Sequence, residues 1–186
     1  MTQTLFNPFL KIAGTKALLF GWLAILATAA VAYYSHTHFP GAIDVKVGAG
    51  GLWWLFLLEP LIAWLCVSIA MYVAGMIVAR SSVRMIDIAG TMALARWPMF
   101  FVTLLAFIPV EAPAELSTNV GDYTSVLLLA LVMLPFTVWM IVLMYQGYKV
   151  STGVKGTEGV LSFIIALVAA EVSAFVVFLL LSRTIH

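Results

Sequence analysis

Three ionisable residues sit inside runs of apolar sequence. Glu59 lies in "WLFLLEPLIAWL" (54–65), Arg96 in "MALARWPMFF" (92–101) and Glu171 in "LVAAEVSAFV" (167–176). An ionisable side chain at the centre of a membrane-spanning helix costs about 2.5–3.5 kcal/mol on insertion scales. Two readings of the carboxyls follow. They form a proton or cation path, or a polar cavity for a lipid head group. Alternatively, each stays protonated and hydrogen-bonds a neighbouring helix. In either case they must face other helices rather than lipid.

Arg96 also has two readings. It pairs with Glu171 within the bilayer, directly or through water, or it snorkels back to the cytoplasmic interface. A second constellation is "YYSHTHF", with His36 and His38 at i, i+2. Asp44, Glu111, Glu115 and Asp122 fall on the same side of the chain. The spacing matches no metal-site signature, so the histidines read as solvated loop residues and only weak metal ligands. No nucleophile–base arrangement stands out, because histidine is confined to the first loop and His186. The expectation is a non-enzyme without cofactor or metal.

These residues must be positioned by membrane helices. The chain has 186 residues, 64% hydrophobic and 9% charged. A soluble domain is about 25% charged and roughly 45–50% apolar. This sequence therefore reads as an integral membrane protein with a single domain. Five runs approach the ~20 apolar residues a spanning helix needs: 17–34, 52–79, 88–110, 124–145 and 159–182. The expected fold is an all-α bundle of five transmembrane helices. The third run reaches full length only if its helix starts near Ile88 and carries Arg96 inside. Pro60 and Pro135 interrupt the second and fourth. Small residues flank both acids: Ala63, Cys66 and Ala70 near Glu59, and Ala166, Ala170, Ser173 and Ala174 around Glu171. Small residues permit close helix approach. The lone Cys66 excludes an intramolecular disulfide and reads as a small core residue. Met1 to Lys16 lacks the cleavage pattern of a signal peptide.

Orientation follows from Lys and Arg in the short loops. With the N-terminus cytoplasmic, that side holds Lys11, Lys16, Arg80, Arg84, Arg96, Lys149 and Lys155, against Lys46 and Arg183 opposite. The C-terminus is then on the far side. Tyr33, Tyr34, Trp53, Trp54, Trp97, Tyr123, Tyr145 and Tyr148 lie near span ends and fit interfacial belts. Arg80, Arg84, Lys149 and Lys155 are the candidate contacts to lipid head groups or a partner protein; "RSSVR" alone also satisfies the positive-inside rule. "YQGYKVSTGVKGTEG" lacks the spacing of a phosphate-binding loop. A net charge of +1 gives no reason to expect nucleic acid.

Two stretches carry a family likeness. "YVAGMIVARSSVRMIDIAGTMALARWPMFF" (72–101) and "LPFTVWMIVLMYQGYKVSTGVKG" (134–156) resemble the Yip (Ypt-interacting protein) family. The likeness runs from Tyr72 to the C-terminus, and Trp139, Gly147 and Tyr148 stand as in the family's fourth-span exit. It implies five helices with a cytoplasmic N-terminus and an organising role in membranes. Eukaryotic relatives bind Rab-type GTPases partly through a long cytosolic N-terminal region. About sixteen residues precede the first run here, so the resemblance is to short bacterial members of the inner membrane and does not carry GTPase binding with it. Membrane lipids, a second copy or another membrane protein are the expected partners. A small transporter, channel or lipid translocator using Glu59 and Glu171 is the alternative. A reporter active only in the cytoplasm should work when inserted beside Lys155 and fail when fused after His186. The reverse pattern would invert the orientation.

Overall fold

In the computed structural model, residues 8–48, 50–79, 82–110 and 123–185 are described. A 3-10 turn, Pro8–Leu10, precedes α1, Gly14–Ser35. Two short strands, β1 (Thr37–His38) and β2 (Lys46–Val47), follow. Then come α2 (Leu55–Val78), α3 (Met85–Ala95), α4 (Met99–Leu105), α5 (Thr124–Thr152) and α6 (Gly156–Ile185). Among the described residues, α1, α2, the α3–α4 pair, α5 and α6 up to Leu181 are each long and apolar enough to cross a membrane.

The third span differs from the expectation in two ways. It starts at Met85 rather than near Ile88, and it is broken. Pro98 has no N–H to continue the helical ladder. Across the break the backbone tightens to i→i−3 bonds, with Trp97 N donating to Leu94 O and Phe101 N to Pro98 O. Arg96 sits at this break. It is thus inside the span, while Pro98 also caps a new helix. The fourth helix is seven residues longer than read from hydropathy, because Gln146–Thr152 continue the helix instead of forming loop. Gly153, in left-handed conformation, stops it by donating its N–H to Lys149 O. Tyr148 consequently turns inward. It is fully buried and its hydroxyl donates to Ser162 on α6 at 2.9 Å. The interfacial placement expected for Tyr148 is corrected accordingly.

The α3–α4 span is the centre of the bundle. It is 67% buried, whereas the other spans are 17–33% buried. α1 packs along α3, and α2 packs along α6. Trp64 on α2 meets Trp22 on α1 edge-on at 5.1 Å, and its Nε1 donates to Ala89 O on α3 at 2.9 Å. On the other side, Thr91 and Ser151 hydroxyls lie 3.2 Å apart between α3 and α5. The outward faces carry large apolar residues such as Leu131, Ile165, Val172 and Leu180. That pattern suits a lipid-facing exterior, where apolar burial offers no drive and close contact holds helices together.

Gly90 shows how close that contact is. A Cβ there would stand 2.6 Å from Gly14 O and 2.9 Å from Leu18 N. Both are backbone atoms of α1 and cannot rotate away. Gly90→Ala should therefore lower stability by about 1–3 kcal/mol, read as a lowered thermal midpoint in detergent micelles. An unchanged midpoint would show that α1 and α3 are not in this contact.

Candidate functional site

The residues joining α1 to α2 do not stay outside the bundle. The chain leaves α1 at His36, a left-handed residue (φ 51°) whose N–H closes on Ala32 O. β1 and β2 then pair antiparallel, Thr37 with Val47 and His38 with Lys46. Gly48 N donates to His36 O at 3.0 Å and closes the neck. The tip of this hairpin, residues 39–43, dips between the helices. Phe39, Pro40, Gly41 and Ala42 are all buried.

A buried irregular segment has main-chain donors and acceptors that need partners. Here three ionisable side chains supply them. Glu59 is 2% exposed. Its Oε2 accepts the Phe39 N–H at 2.8 Å, and its Oε1 lies 2.8 Å from His38 Nδ1. Arg96, 4% exposed, donates from Nη1 to Ala42 O at 2.9 Å. Glu171 Oε2 accepts the Ile43 N–H at 2.9 Å. Ala42 O and Ile43 N belong to one peptide group. The cation holds its oxygen and the anion holds its N–H, which is the polarity of the peptide dipole itself. Charge-assisted bonds of this kind are about twice as strong as neutral ones.

Each element contributes for a local reason. Arg96 is presented where Pro98 breaks the central span, at the middle of residues 85–105. Glu171 lies at the middle of α6 and Glu59 one turn into α2. The small residues Ala63, Ala166, Ala170 and Ala174 are buried, so α2 and α6 approach closely. Gly41 packs directly against the Glu171 carboxyl, which would have to shift to admit a Cβ at that position. His38 rests on Phe56, with ring centroids 4.3 Å apart.

The structure thus brings Glu59, Arg96, Glu171 and His38 together. Glu59 and Glu171 face protein, and each has a polar companion. The snorkelling reading of Arg96 fails, since its guanidinium turns inward to a buried carbonyl. A direct Arg96–Glu171 ion pair is absent among the described residues; a peptide group stands between them where water was the expected bridge. His38 is not a solvated loop residue, although His36 is exposed. No cluster of three metal-binding side chains occurs among the described residues. Asp44, at the hairpin, joins no such cluster; Glu111, Glu115 and Asp122 lie outside the described residues.

The basic residues gather elsewhere. Arg84 is exposed and 3.8 Å from Asp87. Lys149 lies over the Tyr145 ring at 5.5 Å, and Lys155 is exposed in the α5–α6 turn. Arg80 lies outside the described residues.

The space around the charges is tight. A void of about 10 Å³ touches Arg96, lined by Ile25, Thr28, Phe39, Pro60 and Met99. That is at the threshold for a single water molecule. Larger hollows of about 380 Å³ between α2 and α6 and about 530 Å³ beside β2 and α5 are lined by neither acid nor by Arg96. Sequence reasoning missed the hairpin tip as a partner. The signal available was "HFPGAI", an apolar, turn-forming stretch within a connection otherwise expected in water.

Searches of protein-family models, curated proteins and solved structures return no match to this chain.

Removing the cation should leave a buried carbonyl and an uncompensated carboxylate. Arg96→Leu is expected to lower stability by about 3–5 kcal/mol, followed by thermal unfolding in nanodiscs. Adding Glu171→Gln should restore part of the loss, because the amide oxygen still accepts the Ile43 N–H without an uncompensated, partly buried charge. If both single variants behave as the parent, the bridged pair does not exist.

Proposed function

We propose that this chain is a non-enzymatic, multi-pass membrane protein of Yip-like type. It organises the membrane or partner proteins through its cytoplasmic loops, with the N-terminus inside and the C-terminus outside a bacterial inner membrane. The observation that carries this reading is the use made of the intramembrane charges. All three grip a protein segment in a tightly packed setting. A transporter or translocator would need them to line a route open to water or to lipid head groups, whereas the hollow that touches Arg96 holds only about 10 Å³ and the two larger hollows described above are lined by none of the three.

The basic end of the bundle is the surface on which the organising role rests. The Thr91–Ser151 contact and the approach of Gly75 to Thr152 and Val83 bring the α2–α3 turn beside the end of α5. Arg84, Lys149 and Lys155 thereby share one end of the molecule. Cations near an anionic leaflet contribute about 1 kcal/mol each. The same residues could hold an acidic partner segment. The likeness of residues 72–101 and 134–156 to Yip proteins supports the same role, since those stretches include this basic end.

Reconstituted vesicles provide the test. Proton flux and lipid scrambling should equal those of protein-free vesicles for the parent chain, Glu59→Gln and Glu171→Gln alike. Flux in the parent that either substitution abolishes would replace this reading with the transporter.

A further inference from the structure

The hollow between α2 and α6 lies on the outside of the bundle, among side chains that face lipid. Its volume is about 380 Å³, within the roughly 300–1,000 Å³ of ligand clefts. Short side chains leave it open: Ala70 and Ala74 on α2, with Ala166 and Ala169 on α6. Branched and exposed side chains stand round it, Ile69, Val73 and Ile77 on α2 and Ile165 on α6. Cys66 and Ser173 line the end away from Ile77, and the Ser173 hydroxyl is taken up by Ala169 O of its own helix at 2.7 Å. The lining therefore calls for an apolar occupant.

Dimensions select among apolar occupants. From Cys66 to Ile77 α2 rises about 16 Å at 1.5 Å per residue, so the hollow averages about 23 Å² in cross-section. A helix is about 10–12 Å across with its side chains and cannot bed in so narrow a groove. A single polymethylene chain can. Its methylenes supply the dispersion contacts that the groove walls do not make with each other.

Charge selects the amphiphile. The groove runs to Ile77, one residue from the end of α2. Gly75 packs on Thr152, so this end of α2 is level with the end of α5. Lys155 follows three residues later, exposed, in the turn that begins α6. Both helices that wall the groove thus end at the level of Lys155. Arg84 and Lys149 share this end, and the contact of Gly14 with Asp87 brings Lys16 there too. The described acids at this end are Asp87, beside Arg84, and Glu158 in the first turn of α6. Four cations face two acids.

We infer that this groove binds one acyl chain of an anionic phospholipid, whose phosphate sits at Lys155. The assignment rests on the reading above that the basic end faces an anionic leaflet, and it gives that end a defined ligand. The basic cluster draws the head group, and the α2–α6 groove takes the tail.

Native mass spectrometry of the full chain, titrated in detergent with phosphatidylglycerol or with phosphatidylcholine of the same acyl chains, tests both halves. The parent should hold one phosphatidylglycerol about fivefold more tightly than phosphatidylcholine, the discrimination that one lysine supplies. Lys155→Gln should erase this preference and keep the phosphatidylcholine affinity. Ala169→Phe, at an exposed position in the groove, should weaken both lipids about tenfold or more by displacing two methylenes. Ser173→Phe, also exposed, takes its place should Ala169→Phe fail to fold. Undiminished lipid binding by the groove variant overturns the site and leaves the role of the basic end standing. So does a parent dimer that the variant makes monomeric, since a second copy then fills the groove. A preference that survives Lys155→Gln overturns the head-group position. A parent with no preference overturns the site together with the anionic-leaflet reading beneath it.

Discussion

Two unfavourable burials cancel in this molecule. A charged side chain away from water needs a polar companion, and so does an irregular backbone. The hairpin tip brings unpaired N–H and C=O groups into the bundle. Glu59, Arg96 and Glu171 bring charge. Each set supplies what the other lacks, and the peptide between Ala42 and Ile43 carries both signs of the exchange. Without the tip the two acids and the arginine would lose the partners that make their depth tolerable. Without polar groups at these three positions the tip's buried N–H and C=O groups would be left unpaired.

This exchange constrains the helices around it. The central span can hold Arg96 because α1, α2 and α5 pack against it and the hairpin tip takes up its guanidinium. It can present Arg96 at mid-span because Pro98 breaks the helix there, and the backbone turns through i→i−3 bonds. α2 and α6 come together through buried alanines, which set Glu59 and Glu171 on the same hairpin from two directions. The hairpin is in turn a staple: it bonds to α2, the α3–α4 span and α6 at once. Three separate helices are thereby tied through one short segment that belongs to none of them.

The basic residues Arg84, Lys149 and Lys155 and the buried hairpin lie at different ends of the molecule. The hairpin enters from the opposite end.

Much of this architecture was readable in the chain, and the reason is physical. Spans are legible because hydrocarbon demands about 20 apolar residues in a row whatever surrounds them. Glu59, Arg96 and Glu171 stood out because a charge in such a run needs an explanation. Their partners were not legible. Hydropathy cannot show that "HFPGAI" folds inward, since an apolar loop and a buried tip read alike. It cannot show that Tyr148 belongs to the core, since helical continuation past the apolar run depends on packing against α6.

The sequence alone determined five long apolar helices and the need to shelter three charges, because composition and run length are properties of the chain by itself. Only the tertiary structure decided which groups do the sheltering. Contacts between residues as distant as Ile43 and Glu171 arise from helix packing and the reach of a glycine-bearing tip, and no local pattern encodes them.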